Sequence, residues 1–211
     1  MLPLTLSIAG ADDTIRPMGL DYIMASAEPE GVTVQLTRRE SGDVWPNPIY
    51  VEYYTKLTQA YGAAAILAWQ DRAVVGCLPF RPQESTLKNL PHCFRYTPEV
   101  AGDPNLAAVQ RDAPIAFEDL DSKTLVVQCA IVKPELRREG LGTALVAYLV
   151  DWAREHGWER IQGSAFIQGN WQWLPDVQFW EKAGFARGTE DESTLEFGPS
   201  CGFQRDLADA T

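Results

Sequence analysis

The stretch KPELRREGLGTAL, Lys133 to Leu145, sets Arg137, Arg138 and Glu139 directly before two glycines one residue apart, Gly140 and Gly142. On its N-terminal side TLVVQCAIV is a near-continuous apolar run of strand length, as expected of a central strand covered on both faces. On its C-terminal side the chain reads as a good helix, from Gly140 to His156, in which Leu141, Leu145, Leu149 and Trp152 form one apolar stripe. Glycine in a helix costs roughly 1 kcal/mol relative to alanine, so two at the mouth of this one imply a need for bare backbone. A helix N-terminus leaves about four N–H groups without intrahelical partners. With the macrodipole they make an anion site, and Gly140 and Gly142 carry no Cβ to keep a large anion away. Arg137 and Arg138 add positive charge beside them, in a chain whose formal net charge is −11. The stretch therefore reads as a phosphate or diphosphate cradle. The alternative reading of the glycines is close packing of the helix against the strand.

Two common phosphate motifs do not fit. The nucleotide P-loop needs a Lys before its Ser or Thr, and here Thr143 follows Gly142 directly. The dinucleotide fingerprint needs a third Gly where Leu145 stands. The acidic balance disfavours a nucleic-acid binder and suits cationic or amine-bearing partners. Four cysteines, none spaced C-x-x-C, and two histidines argue against a zinc site. Cys77 and Cys129 lie in apolar runs, as reduced thiols of a cytoplasmic protein would. No run reaches the roughly 20 apolar residues of a membrane span. The N-terminal LPLTLSIAGA lacks a basic flank and reads as a strand or arm rather than a leader.

Elsewhere the punctuation is clear in places. PIYVEYYTKLTQAYG reads as a helix opened by Pro48 and closed by Gly62. AAAILAWQDRAVVGCLPF reads as an antiparallel hairpin turning at QDR. Residues 81–122 hold five prolines and little periodicity, and read as an inserted subdomain or a lid. Residues 1–45 read as an N-terminal extension in which DDTIRPMGL is a strand and turn and GVTVQLTRR a strand. RIQGSAFI is a strand, LPDVQFWEKAGF a short helix stopped at Gly184, and STLEF and CGFQRDL two closing strands. The order strand, helix, strand, helix, strand in the second half predicts an α/β or α+β sheet with helices on its faces.

Arg137-x-x-Gly140-x-Gly142 resembles the Q/R-x-x-G-x-G/A signature of the GNAT superfamily of N-acetyltransferases. FWEKAGF, Phe179 to Phe185, resembles the family's F-Y-E-K-x-G-F, and the hairpin resembles its second and third strands. The resemblance runs from Ala63 to Pro82 and from Thr124 to Phe185, and implies a single domain over 1–211. It implies a mixed, mostly antiparallel central sheet that splays after its fourth strand, with acetyl-CoA in the split as cosubstrate. Carried over, the main chain of Ile131, Val132 and Lys133 would face the pantetheine arm, pairing with it as an added strand. The N–H groups of Arg138, Glu139, Gly140, Leu141, Gly142 and Thr143 would hold the diphosphate, with Arg137 and Arg138 as candidate side-chain contacts.

Catalysis is less legible. The family's Tyr near the sulfur is Trp180 here, whose indole N–H is a donor only. The fourth strand carries no carboxylate; Gln128 is its strongly polar side chain, read either as a substrate or water contact or as the partner of a buried neighbour. Cys129 reads as a core hydrophobe rather than a nucleophile. Glu52, Tyr53 and Tyr54 on the early helix are candidate bases or acceptor contacts, and His92 belongs to the insertion. His156 at the helix C-terminus is structural, since a cation is favoured there. Trp171 and Trp173 are candidates for the wall of an acceptor pocket or for packing in the core or a homodimer, and Asn170 is a weaker cofactor candidate. The expected function is transfer of an acetyl group to a small-molecule or peptide amine by direct attack in a ternary complex, with no nucleic acid or membrane partner. The alternatives are a non-catalytic acyl-CoA sensor and a transferase for a larger acyl group.

Overall fold

The computed structural model describes residues 15–17, 56–70, 73–84, 114–133, 136–167, 175–191 and 200–207. They form an eight-stranded mixed sheet with the helices α1 (Leu141–Glu155) and α2 (Val177–Lys182) and a further helical segment at 56–61. The strands are β1 (Ile15–Pro17), β2 (Ala65–Gln70), β3 (Ala73–Pro82), β4 (Thr124–Val127), β5 (Ile131–Val132), β6 (Arg160–Phe166), β7 (Ala186–Asp191) and β8 (Ser200–Asp206). Their spatial order is β1-β2-β3-β4-β6-β8-β7, with β5 paired to β3. Among the described strands only β4 and β6 run parallel; every other pairing is antiparallel.

The β2–β3 hairpin forms as its two apolar runs predict, with Ala65 opposite Pro79 and Gln70 opposite Ala73. The α1 stripe is buried as its spacing predicts: Leu141, Leu145, Leu149 and Trp152 are joined by Val146, Val150 and Ala153. Each large side chain of that stripe contributes about 1.5–3 kcal/mol by leaving water. The helix seats over β2 and β3 at Gly76, where an added Cβ would stand 3.1 Å from Leu145 Cδ1. His156 caps α1 with its ring stacked on Trp152, the centroids 4.4 Å apart, and Gly157 turns the chain away at φ 76°. Asp176 caps α2, its carboxylate accepting the Phe179 N–H at 2.7 Å, and Gly184 at φ 79° ends it. Helical residues 56–61 and Gly62 at φ 86° match the C-terminal part of the helix expected before Gly62.

Two elements differ from the sequence reading. TLVVQCAIV is not one strand. β3 faces it throughout, but between the pairs Phe80↔Val127 and Cys77↔Ile131 three residues (128, 129, 130) stand against two (78, 79). One extra residue makes a bulge, which bends a strand and raises its twist. Apolar periodicity is blind to it, because all of these residues still face packed neighbours. The second difference is β7, which starts at Ala186, directly after α2. ARGTED lacks apolar alternation; β7 is the outermost of the described strands on that side of the sheet, and its Ala186, Arg187 and Gly188 are exposed. STLEF and residues 18–55 lie outside the described residues.

The 81–122 stretch leaves and returns at one place. The Gln83 N–H donates to Thr124 O at 2.9 Å. Glu84 accepts from the N–H groups of Asp121 (3.0 Å) and Ser122 (2.6 Å). Behind this clasp a short 3-10 turn, Phe117–Asp119, sets the Phe117 ring edge-on to Trp158 at 5.0 Å, and Trp158 meets Tyr61 at 5.8 Å. The Tyr61 hydroxyl donates to Ile115 O at 2.5 Å, and the Lys123 ammonium bonds Phe117 O while lying over the same ring. His92 and the rest of the insertion lie outside the described residues.

Candidate active site: an opened sheet beside an uncapped helix

The bulge decides where the sheet opens. β4 and β6 run side by side for three residue pairs, Thr124↔Arg160, Leu125↔Ile161 and Val126↔Gln162, and pair no further. Past that point β5 stays with β3 while β6 stays with β8 out to Phe166↔Ser200. A gap lies between them, and its two edges can be assigned by alternation. The Lys133 N–H donates to Val75 O at 2.9 Å on β3, so the N–H and C=O of Val132 turn away from β3, toward the gap. On the far side the Arg160 N–H bonds Lys123 O at 3.2 Å, so Ser164, four residues on in an unbroken strand, also turns its main chain to the gap.

Of Ile131, Val132 and Lys133, only Val132 therefore offers main-chain groups to an arm lying in the gap. Lys133 commits its N–H to Val75 and its C=O to the Leu136 N–H at 2.9 Å. The gap-facing carbonyls of Val132 and Ser164 each already have a side-chain donor. Arg137 Nε bonds Val132 O at 3.1 Å, and Trp180 Nε1 bonds Ser164 O at 3.1 Å.

Next to the Val132 edge stands the start of α1. Gly140 is its N-cap at φ 88°, a left-handed backbone that glycine adopts without strain, and no side chain caps this helix end. Arg138 is also left-handed, at φ 65°. Arg137, Arg138, Glu139, Gly140 and Thr143 are exposed, Gly142 is half-buried and Leu141 is buried. A Cβ on Gly140 would meet nothing within 4 Å, so the approach to the first N–H groups is open. Gly142 differs: a Cβ there would lie 2.9 Å from Phe179 Cε2. One glycine serves the turn, and the other serves the contact of α2 with α1. Uncapped N–H groups, an open approach and the exposed Arg138 fit a diphosphate, and the Val132 edge beside them fits an amide-bearing arm.

Besides Arg137, the described polar side chains around the gap include Gln128 in the bulge, Gln162 beside Val126, and exposed Ser164. Gln162 and Ser164 share the face of β6 opposite buried Ile161, Gly163 and Ala165. Burial pushes the Cys129 thiol up to about 12, and burial, then proximity to Cys129, pushes Cys77 well above the ordinary thiol range. Both stay protonated at neutral pH, in keeping with core residues rather than nucleophiles. Trp180 is 1 % exposed, set among Phe179, Phe185 and Phe203. Its ring lies so close over Gly163 that a Cβ there would be 2.3 Å from Cζ2. A glycine inside a strand, as in RIQGSAF, marks a close approach of this kind; its partner was not readable from the sequence. Glu52, Tyr53, Tyr54, Asn170, Trp171 and Trp173 lie outside the described residues. Among the described residues no group of three or more His, Cys, Asp or Glu could hold a metal.

Comparison with known proteins gives the class. The model of the acetyltransferase (GNAT) family matches residues 33–185. The chain belongs to that family: it is an acyltransferase whose cosubstrate is acetyl-CoA. No curated protein matches it. Among solved structures it is similar to a putative acetyltransferase from Salmonella typhimurium with its cofactor acetyl-CoA (16 % identity, 94 % of this chain and 95 % of that one, TM-score 0.56). It is also similar to the ribosomal-protein-S18-alanine N-acetyltransferase of Escherichia coli (12 %, 94 % and 96 %, 0.54) and to an aminoglycoside 6'-acetyltransferase type Ii (13 %, 93 % and 99 %, 0.55). At these identities the likeness is one of fold.

Proposed function

We propose that the protein transfers the acetyl group of acetyl-CoA to a primary amine of a small molecule or peptide, by direct attack while both are bound. The observation that carries this is the coincidence of an opened sheet edge at Val132 with the uncapped start of α1. Acetyl-CoA supplies an acyl carbon activated by its thioester. In this reading the main-chain N–H groups from Arg138 to Thr143 hold the diphosphate, the Val132 N–H orients the arm, and buried Ile131 and Leu141 keep water from the junction. The structural neighbours named for protein and aminoglycoside substrates support an amine acceptor, and the net charge of −11 favours cationic ones.

Position 180 is a tryptophan and carries no hydroxyl, and its indole N–H is committed to Ser164 O. Gln128, Gln162 and Ser164 are not bases at neutral pH. Glu52 and Tyr54 are the residues to which we assign the acceptor's proton; of the two, only the carboxylate is an acceptor at neutral pH without further activation. Loss of a base of this kind lowers kcat/KM by about 10²–10⁴ and removes its plateau with pH. Glu52→Gln with that outcome supports the assignment; an unchanged pH profile gives the proton to solvent.

The protein is read as one domain carrying an N-terminal extension and the clasped insertion. No described helix is long and apolar enough to cross a membrane, and the free thiols at Cys77, Cys129 and Cys201 support a reducing compartment such as the cytoplasm. The test is calorimetric titration with acetyl-CoA, then detection of free CoA over a panel of amines. Binding with release on at least one amine is expected. Tight binding without release on any amine would favour an acyl-CoA sensor, and absence of binding would overturn the assignment of the site.

A further inference from the structure

We infer that Arg137 is a positioning residue: its guanidinium serves the gap-facing carbonyl of Val132, not a phosphate oxygen. The inference rests on the cofactor reading above and concerns how the two halves of that site are held together. Val132 O is one of the two main-chain groups that β5 turns toward the gap, and Arg137 Nε already bonds it at 3.1 Å. Between the two, the Leu136 N–H donates to Lys133 O at 2.9 Å, and Leu136 is buried. Arg138 then leaves in the left-handed region at φ 65°, and Gly140 comes next in that region at φ 88°. The bond therefore closes a loop whose one end is the strand edge and whose other end is the diphosphate turn.

Closing that loop has two consequences. It fixes the spacing between the helix start and the strand edge, so a ligand that spans both meets a preformed site and needs less free energy to order it. It also leaves the Val132 N–H as the strand-edge group open to the arm, so the arm docks through a carbonyl acceptor at that point. A guanidinium with a carbonyl partner is less free to follow an anion, and the positive charge nearest the diphosphate falls to Arg138, whose side chain is exposed.

A positioning role and a phosphate-contact role separate when charge and donor capacity are removed one at a time. Arg137→Gln keeps an N–H donor and removes the charge; Arg137→Met removes both. The ligands are CoA and adenosine 3'-phosphate 5'-diphosphate, the half of CoA without the arm, with binding measured by calorimetry across a salt series. The expected result is CoA affinity within about threefold of wild type for Arg137→Gln. For Arg137→Met it is a loss of about tenfold, the size of one hydrogen bond that the glutamine amide can still make. Both variants should bind the arm-less half within about threefold of wild type, with an unchanged salt slope. Equal losses in the two variants on both ligands, with a shallower salt dependence, would make Arg137 a phosphate ligand and overturn the inference. So would wild-type affinity for CoA in Arg137→Met. Failure of the wild type to bind CoA would instead remove the cofactor reading itself.

Discussion

Gly140 and Gly142 look alike in the sequence and do different things. At Gly140 the backbone is the constraint: at φ 88° a side chain is strained although space in front of it is open. At Gly142 the backbone is ordinary and space is the constraint, with Phe179 Cε2 2.9 Å from the missing Cβ. Gly140→Ala should cost about 1–2 kcal/mol from left-handed strain, and Gly142→Ala about 1–3 kcal/mol from overpacking. Adding Phe179→Leu should recover most of the second loss and none of the first, read from urea midpoints. The thiols give a pH-dependent prediction. The unfolded chain loses its thiol protons near pH 8.5, whereas folded Cys129 keeps its own until about 12. The folded pKa is raised, so this contribution to stability is fully present below about pH 8.5 and is lost as pH rises through about 12. Urea midpoints should fall across that window, and Cys129→Ala should flatten the fall.

At the scale of elements, one inserted residue in the β4–β5 region and one tryptophan shape the opening. The bulge bends the chain so that β5 leaves β6, and Trp180 occupies the Ser164 carbonyl that this separation exposes. A bare strand edge invites pairing with another chain; Trp180 and Arg137 each cover one carbonyl of the gap. Trp180→Phe should cost about 1–2 kcal/mol for the lost donor. Gly163→Ala should cost about 3 kcal/mol, because the indole carbons at 2.3, 2.4 and 2.8 Å belong to a fully enclosed ring. The double variant Trp180→Leu with Gly163→Ala should fall short of additivity by about 1 kcal/mol or more in a denaturation cycle. The sequence showed that position 180 lacks a hydroxyl, but not that its ring lies across β6. Glycine in RIQGSAF said only that something comes close.

Across the whole molecule, the clasp of the insertion and the gap between β5 and β6 sit at opposite ends of one strand path. Glu84 joins the insertion ends where β4 begins, at Thr124, and the gap opens past Val126 toward Val132. Glu84→Ala should loosen that clasp and lower stability by about 1–2 kcal/mol, read from urea midpoints, while leaving CoA affinity unchanged. Acetyl-CoA at about a hundred times its Kd should add about 2.7 kcal/mol to stability, raising Tm by about 5–10 °C. The sequence by itself determined the buried stripe of α1, the β2–β3 hairpin, the succession of β6 and α2, and the glycine turn. These are set by periodicity and by backbone preference over a few neighbouring residues. Only the tertiary structure decided that the apolar run breaks into two strands, that polar ARGTED becomes an outer strand, that Gly142 answers to Phe179, and that Arg137 turns back to Val132. Each of those depends on register and contact between segments apart in the chain, where a shift of one residue changes every partner and leaves the local pattern of side chains the same.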